Sequence, residues 1–358
     1  AKRAILKDCL FQSALLMTNH KGANHPWDRL DRPIRDLRIS LIDRCNYRCP
    51  YCMPISEFGD DYEFLKRDAR LSHDEIVRMA TIMVGLGVTK LRLTGGEPLL
   101  DKNIVELIER LAEIPGVDDL AITTNGQLLA PKAKALRDAG LKRITLSLDS
   151  VDPDRFAQMS GGRGDIDAVL AGVAGAELAG FSLKINTVVQ RGVNDDGVLD
   201  VLEYFRGTPH VVRLIEYMDV GNRNGWQREH VVPSSELLEH INQRWPVESL
   251  QPNYRGEVAR RYRYSDGGGE IGFISSVTAP FCGSCHRARL AADGTLYTCL
   301  FATQGTRFLE PLRWVASDEE IADMIRRVWL RREDRYSEQR AMSEKPLLPK
   351  VEMYRVGG

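Results

Sequence analysis

The chain has 358 residues, 43% hydrophobic and 28% charged, with a formal net charge of −1. That is enough for one large core, or for a large domain with a smaller one. A near-neutral balance gives no electrostatic footing for nucleic acid or a membrane surface as the main partner, and no uncharged apolar run approaches the ~20 residues of a membrane span.

Residues 1–30 carry no clear period and are set apart as an N-terminal extension. Their mixed charge and lack of a small-residue cleavage site point to a cytoplasmic protein rather than a secreted one. Beyond them, strand-like and helix-like runs alternate. Short apolar, β-branched runs lie at Leu37–Ile42, Lys90–Thr94, Leu120–Thr124, Arg143–Leu148, Leu183–Val189 and Val211–Met218. Between them, stretches such as Glu75–Leu86, Ile104–Ile114, Asp165–Ala179 and Val198–Phe205 have helical spacing. Gly87, Gly116, Gly140 and Gly180 fall where helix C-caps are wanted.

Six such units in series imply a parallel sheet, because parallel strands need a helical crossover. Six is fewer than the eight of a closed barrel. The expected fold class is therefore α/β: a partial (β/α)6 TIM-type barrel over residues 31–218, its open side closed by a smaller C-terminal domain, 219–358. That second part reads as a helix near Ser234–Trp245, short strands, a hairpin signal at Asp293–Gly294 and a charged helix over Asp318–Arg335.

The seven cysteines are Cys9, Cys45, Cys49, Cys52, Cys282, Cys285 and Cys299. An odd count in a large chain argues against a disulfide framework. Cys9 stands alone and reads as an ordinary thiol. The others form C-x3-C-x2-C and C-x2-C-x13-C. A four-iron cubane normally takes four thiolates, so three leave one iron open to a reactant. Zinc is the alternative, with His73 or His25 as fourth ligand in the first group and His286 in the second. His286 directly follows Cys285, would struggle to reach the same metal, and reads as a solvent-facing loop residue.

Arg38 and Arg92 interrupt the first two strands, Lys184 opens the fifth, and Arg287 and Arg289 alternate just after Cys285. A charge in an apolar strand is costly unless it is paired or faces a polar cavity. The barrel lumen is such a cavity; ion pairs with acids such as Asp43 or Glu216 are the competing reading. Arginine's planar fork suits phosphate oxygens.

The first cysteine group, with Tyr51 before Cys52 and Gly95–Gly96–Glu97–Pro98 after the second strand, resembles the radical S-adenosylmethionine (SAM) superfamily. That resemblance implies a [4Fe-4S] cluster on Cys45, Cys49 and Cys52, whose open iron is chelated by SAM and whose electron cleaves SAM to a 5′-deoxyadenosyl radical. The run Phe281–Leu290, with Asp293–Gly294, Cys299–Leu300, Leu37–Ser40, Ile215–Met218, Glu270–Ile274 and the terminal Gly357–Gly358, is similar to the molybdenum cofactor biosynthesis protein A family, the GTP 3′,8-cyclases. The resemblance runs from about Arg32 to the end of the chain; Ile42 stands where threonine is common and His286 where asparagine is common.

This second resemblance implies a lyase with two [4Fe-4S] clusters, SAM and GTP. Cys282, Cys285 and Cys299 would hold the second cluster, whose open iron binds guanine. Arg38, Arg92, Thr123, Lys184, Arg287, Ala288 and Arg289 would contact GTP, and Tyr51, Gly96, Ser147 and Met218 would contact SAM. Arg287, Arg289, Gly357 and Gly358 are the catalytic candidates, the glycine pair entering the site. Hydrogen removal from ribose C3′ and attack on guanine C8 would give 3′,8-cyclo-7,8-dihydro-GTP, a step toward molybdopterin. The alternatives are a peptide-modifying radical SAM enzyme, whose extra domain usually carries more cysteines, and a non-catalytic protein with two zinc staples. The sequence names no electron-donor protein and leaves a homodimer open.

Overall fold

The computed structural model describes residues 25–254, 256–314, 316–340 and 349–357. Cys9, Gly358 and most of the 1–30 extension lie outside the described residues. The six expected strands are present as β1 (Asp36–Ser40), β2 (Lys90–Thr94), β3 (Asp119–Thr124), β4 (Arg143–Ser147), β5 (Lys184–Val189) and β6 (Val211–Glu216). They lie side by side in chain order, all parallel.

The helices that carry the chain back are α1 (His73–Gly85), α2 (Ile104–Ala112), α3 (Ala133–Asp138), α4 (Pro153–Met159), α5 (Ile166–Leu178) and α6 (Val198–Phe205). The first begins at a reciprocal cap, in which the Ser72 hydroxyl accepts from Glu75 N and the Glu75 carboxylate accepts from Ser72 N. It ends before Gly87, whose φ of 105° only glycine adopts readily.

The later segment does not build a sheet of its own. Its strands are β7 (Val247–Ser249), β8 (Arg260–Tyr264), β9 (Glu270–Ile274), β10 (Arg287–Leu290), β11 (Thr295–Tyr297) and β12 (Thr306–Arg307). They extend both edges of the first sheet, giving the order β12-β11-β10-β1-β2-β3-β4-β5-β6-β9-β8-β7. Because β9 runs parallel to β6 and β10 parallel to β1, a row of parallel strands longer than the expected six curls around one lumen. Periodicity cannot show this: β9 and β10 are short, and each pairs with a strand far away in sequence. The remaining helices are α7 (Ser234–Arg244), α8 (Leu309–Arg313), α9 (Asp318–Leu330), α10 (Tyr336–Gln339) and α11 (Met353–Val356). Among the described residues no helix is long and apolar enough to cross a membrane.

Strand alternation sorts the side chains. Leu37, Ile39, Leu91, Leu93, Ile122, Ile144, Leu146, Ile185 and Leu214 point outward, under the helices, and are almost wholly buried. Each contributes roughly 1.5–3 kcal/mol by leaving water. The intervening positions, among them Arg38, Arg92, Thr123, Ser147, Asn186 and Arg213, point into the lumen. Packing of the outer face thus fixes what the inner face presents.

Candidate active site

The lumen holds a cavity of about 440 Å³ lined by residues from β1–β6, β9 and β10 and by both cysteine groups. The two groups sit at opposite ends of it. Cys45, Cys49 and Cys52 follow β1, whereas Cys282 and Cys285 precede β10, which lies parallel to β1 with Asp36 opposite Arg287. The β10–β11 hairpin then brings Cys299 back to the same end, Arg289 pairing with Tyr297.

At the first end, the cysteine loop is fixed from two sides. Buried Arg48 donates to the carbonyls of Phe58 (2.6 Å), Cys45 (2.8 Å) and Tyr47 (2.8 Å). From β2, Gly96 N donates to Ile42 O (2.6 Å) and Glu97 N to Arg44 O (2.8 Å). The approach is so close that a Cβ on Gly96 would overlap the Arg44 carbonyl, and one on Gly95 would lie 2.5 Å from Ile42 O. Glu97 then accepts from Leu99 N (2.9 Å), Thr124 Oγ1 (2.7 Å) and Asn125 N (2.9 Å), tying the end of β3 to the same loop. Burial pushes its carboxyl up to about 7 despite those bonds. Asn125 Nδ2 reaches Asn46 Oδ1 at 2.8 Å and Cys45 Sγ at 3.9 Å.

Burial also pushes the Cys45 thiol up to about 12, and the Cys49 and Cys52 thiols upward. Buried thiols of this kind become good ligands once a cationic group offsets their charge. Among the described residues no three His, Cys, Asp or Glu side chains converge as a single metal ion requires. His73 is bonded to Asp101 (2.9 Å) and His25 lies against Gly87, so neither is placed as the fourth zinc ligand. The trio thus offers three thiolates, with neither histidine suggested as a fourth zinc ligand beside them. Met53, Phe58 and Tyr354, with Tyr62 and Phe64, form an apolar wall beside Cys45 and Cys52. Tyr51, Gly96, Ser147 and Met218 all line the cavity at this end. The Tyr51 hydroxyl donates to Asp149 Oδ2 (2.7 Å), whose carboxyl burial raises to about 6.

At the other end, a single 3-10 turn closes Cys285 N onto Cys282 O (3.1 Å). Burial would raise the Cys285 thiol, but Arg287, whose Nε lies 3.3 Å from the sulfur, and Arg332 outweigh it and bring it down to about 6. Burial holds Cys299 up at about 11. His286 differs from its expected solvent-facing place. It is half-buried, lines the cavity, and its carbonyl accepts from Arg35 N (3.1 Å) and Asp36 N (3.2 Å), fixing the register of β1 and β10.

Between the ends lies a layer of cations. Arg289, Arg38 and Arg92 stand in register on three adjacent strands, and Lys184 and Arg213 continue the layer on β5 and β6. Lys90, Arg143 and Arg261 are paired with Asp119 and Glu270. Among the described residues, Arg38, Arg92, Lys184, Arg213, Arg287 and Arg289 have no carboxylate within ion-pair distance. The acids suspected of neutralising them are engaged elsewhere: Asp43 accepts from Leu65 N (2.7 Å), and Glu216 accepts from Ser234 N, Val277 N and Thr278 N (2.8–2.9 Å).

Burial and mutual repulsion lower Arg38 well below the usual guanidinium range, Arg213 to about 9, Arg289 to about 10 and Lys184 to about 8; Asp36 and Glu257 offset only part of this. Arg92 donates to Thr123 (3.1 Å) and Thr145 (2.9 Å), yet the Nε atoms of Arg38, Arg92 and Arg213 are buried without an acceptor. Ala288 is the exception among the expected contacts: its side chain is wholly buried on the outer face of β10, away from the cavity.

The C-terminal segment enters this space. Asn222 clasps it by donating to Lys350 O and accepting from Lys350 N (2.9 Å). The ring of Tyr354 packs on Phe58 (5.0 Å), and its hydroxyl meets that of Tyr62 (2.9 Å). Gly357, at φ 69°, sits where a Cβ would overlap Thr94 Oγ1. Arg289 Nη1 donates to the carbonyls of Val356 (3.1 Å) and Gly357.

An open, mostly parallel barrel with a three-cysteine loop after its first strand and a Gly-Gly-Glu turn after its second defines a radical SAM enzyme, and residues 39–205 match the Radical SAM superfamily. The solved structure of Streptococcus suis SuiB bound to S-adenosylmethionine shares the fold, with a TM-score of 0.55 and 16% identity over 78% of this chain and 65% of that one. Residues 210–338 match a second family, Molybdenum Cofactor Synthesis C. The chain is 57% identical to the GTP 3′,8-cyclase of Xanthomonas campestris pv. campestris over 92% of its own length and 97% of that protein, and 45% identical to that of Staphylococcus carnosus over 92% and 98%. It belongs to the GTP 3′,8-cyclase family.

Proposed function

We propose that this chain cyclises GTP to 3′,8-cyclo-7,8-dihydro-GTP in molybdenum cofactor biosynthesis, with the nucleotide lying along the lumen between the two cysteine trios. The observation that carries this reading is the layer of buried and half-buried cations without carboxylate partners, aimed into one cavity between those trios. Such a layer is stable only if something anionic shares its space, and a triphosphate supplies several negative oxygens in reach of planar guanidinium forks.

Cys45, Cys49 and Cys52 would hold the cluster that binds SAM, near Tyr51, Gly96, Ser147 and Met218. Cys282, Cys285 and Cys299 would hold a second [4Fe-4S] cluster that anchors guanine. When bound, the first cluster and SAM supply the one-electron cleavage by which a hydrogen atom leaves the ribose. The chain's own contribution is placement. Arg38, Arg92, Lys184, Arg213 and Arg287 fix the phosphates, Thr123 orients Arg92, and the aromatic wall of Phe58, Tyr62 and Tyr354 keeps water from the reacting carbon. Arg289 reaches the active space together with the tail carbonyls it holds, so its part is to seat Gly357 as well as to add charge.

A pH profile tests this placement. Lys184 sits near 8 because of burial and then Arg143, Arg213 and Arg92. Its ammonium is the form that binds phosphate, so charge is present below about 8 and lost above it. In anaerobic turnover with SAM, a reductant and GTP, with the cyclised product followed by mass spectrometry, kcat/KM is expected to be level below that pH and to fall above it. The Lys184→Arg variant should stay level over the same range. A falling limb that survives in Lys184→Arg would take Lys184 out of the phosphate site, and no cyclised product from wild type would remove the activity.

A further inference from the structure

Three segments carry the second cysteine trio, and one buried carboxylate holds all of them. Asp28 lies just before β1, and its side chain is 0% exposed. Its Oδ2 accepts from Arg32 Nε (2.6 Å) and from Arg332 Nη1 (2.8 Å); both guanidiniums are themselves almost wholly buried. Arg32 Nη1 donates to the Cys282 carbonyl (2.7 Å) and to Asp334 O (2.9 Å). Arg332 Nη1 donates to the Cys285 carbonyl (2.8 Å), and its Nε donates to the carbonyl of Thr298, the residue before Cys299 (3.0 Å). Asp28 Oδ1 caps its own turn by accepting from Leu30 N (2.9 Å) and Arg32 N (3.0 Å). The indole of Trp329 donates to Arg32 O (2.9 Å), and the Arg332 guanidinium lies 4.6 Å from that ring's centre.

We infer that Asp28 is a positioning residue for the second cysteine trio, acting through Arg32 and Arg332 on the backbone at Cys282, Cys285 and Cys299. The inference rests on the reading of that trio as a cluster site. A buried ion network contributes little to net stability compared with well-packed apolar groups, but its geometry is specific. Here the two guanidiniums that the carboxylate orients reach peptide carbonyls at Cys282, Cys285 and Thr298, and Asp334 beside them. Partners that orient ligands in this way typically change metal retention by about 10- to 100-fold. The first trio has no link to this network among the described residues, so the effect should be confined to one end of the cavity.

The test is iron release from the anaerobically reconstituted full chain to a strong ferrous chelator, with Cys285→Ala identifying the phase that belongs to the second trio. In Asp28→Asn that phase is expected to accelerate by about 10- to 100-fold, while the other phase and SAM cleavage to 5′-deoxyadenosine keep wild-type rates. Arg332→Lys keeps a cation opposite Asp28 but cannot span both carbonyls, and should accelerate the same phase selectively. It decides the matter if Asp28→Asn fails to fold, which loss of both phases together would reveal. A second-trio phase as slow as wild type in either folded variant would overturn the inference alone. A wild-type protein without any phase that Cys285→Ala removes would overturn the second cluster and the inference together.

Discussion

Replacing Gly96 by alanine is expected to strip the first cysteine trio of its cluster and abolish 5′-deoxyadenosine formation, while the second trio keeps its iron. The reason is backbone against backbone. The new methyl would overlap the Arg44 carbonyl and come within 2.9 Å of Cys45 N. No flexible side chain can yield, because Ile42 O and Arg44 O are both already bonded to the Gly96–Glu97 turn. Overpacking of this kind typically costs 1–3 kcal/mol, and relief requires the ligand loop to move away from β2. Functional groups must stay within roughly 0.5 Å of their productive places, so even a small shift disperses Cys45 from its partners. Iron counting and the cluster's electron paramagnetic resonance signal measure the loss. Full first-trio occupancy with normal SAM cleavage would show that the glycine is needed for something other than this approach.

The Arg38→Met variant is expected to raise KM for GTP by about 10- to 100-fold, as loss of a charge-assisted phosphate contact of about 1.5–3 kcal/mol implies. Its thermal stability should match or exceed wild type. Both halves follow from the same surroundings. Arg38 is half-buried, faces Arg289, Arg287 and Arg92, and leaves its Nε without an acceptor. A like-charged crowd without carboxylate partners works against the fold, so an apolar side chain of similar length relieves repulsion in the free protein. The same change removes a central donor once the triphosphate arrives. A KM held at the wild-type value, or a marked fall in melting temperature, would mean that Arg38 serves the fold instead.

Much of this was readable from residues alone because strand alternation is strict. Arg38, Arg92 and Lys184 interrupt apolar runs at positions of one parity, so a lumen was implied before any contact was known, and the turn at Asp293–Gly294 correctly folds Cys299 back toward Cys285. Arg143 and Arg213 obey the same parity and could have been added by it. Arg143 differs from the others in being paired, with Asp119 on the neighbouring strand. Other features had no local signal. Asp28 is an ordinary turn acid until Arg332, far along the chain, arrives beside it. Glu97 reads as part of a ligand-binding turn, although two of its bonds tie the end of β3 to that turn. Strands β9 and β10 depend on partners, β6 and β1, that lie far away in sequence.

The two-ended site is tested most directly by a variant with Cys282, Cys285 and Cys299 all changed to alanine, in which iron, SAM cleavage and anaerobic GTP binding are measured together. Half of the wild-type iron, retained formation of 5′-deoxyadenosine and greatly weakened GTP binding are the predicted result. Unchanged iron and unchanged GTP affinity would contradict it, and would place the nucleotide's anchor somewhere other than the second trio.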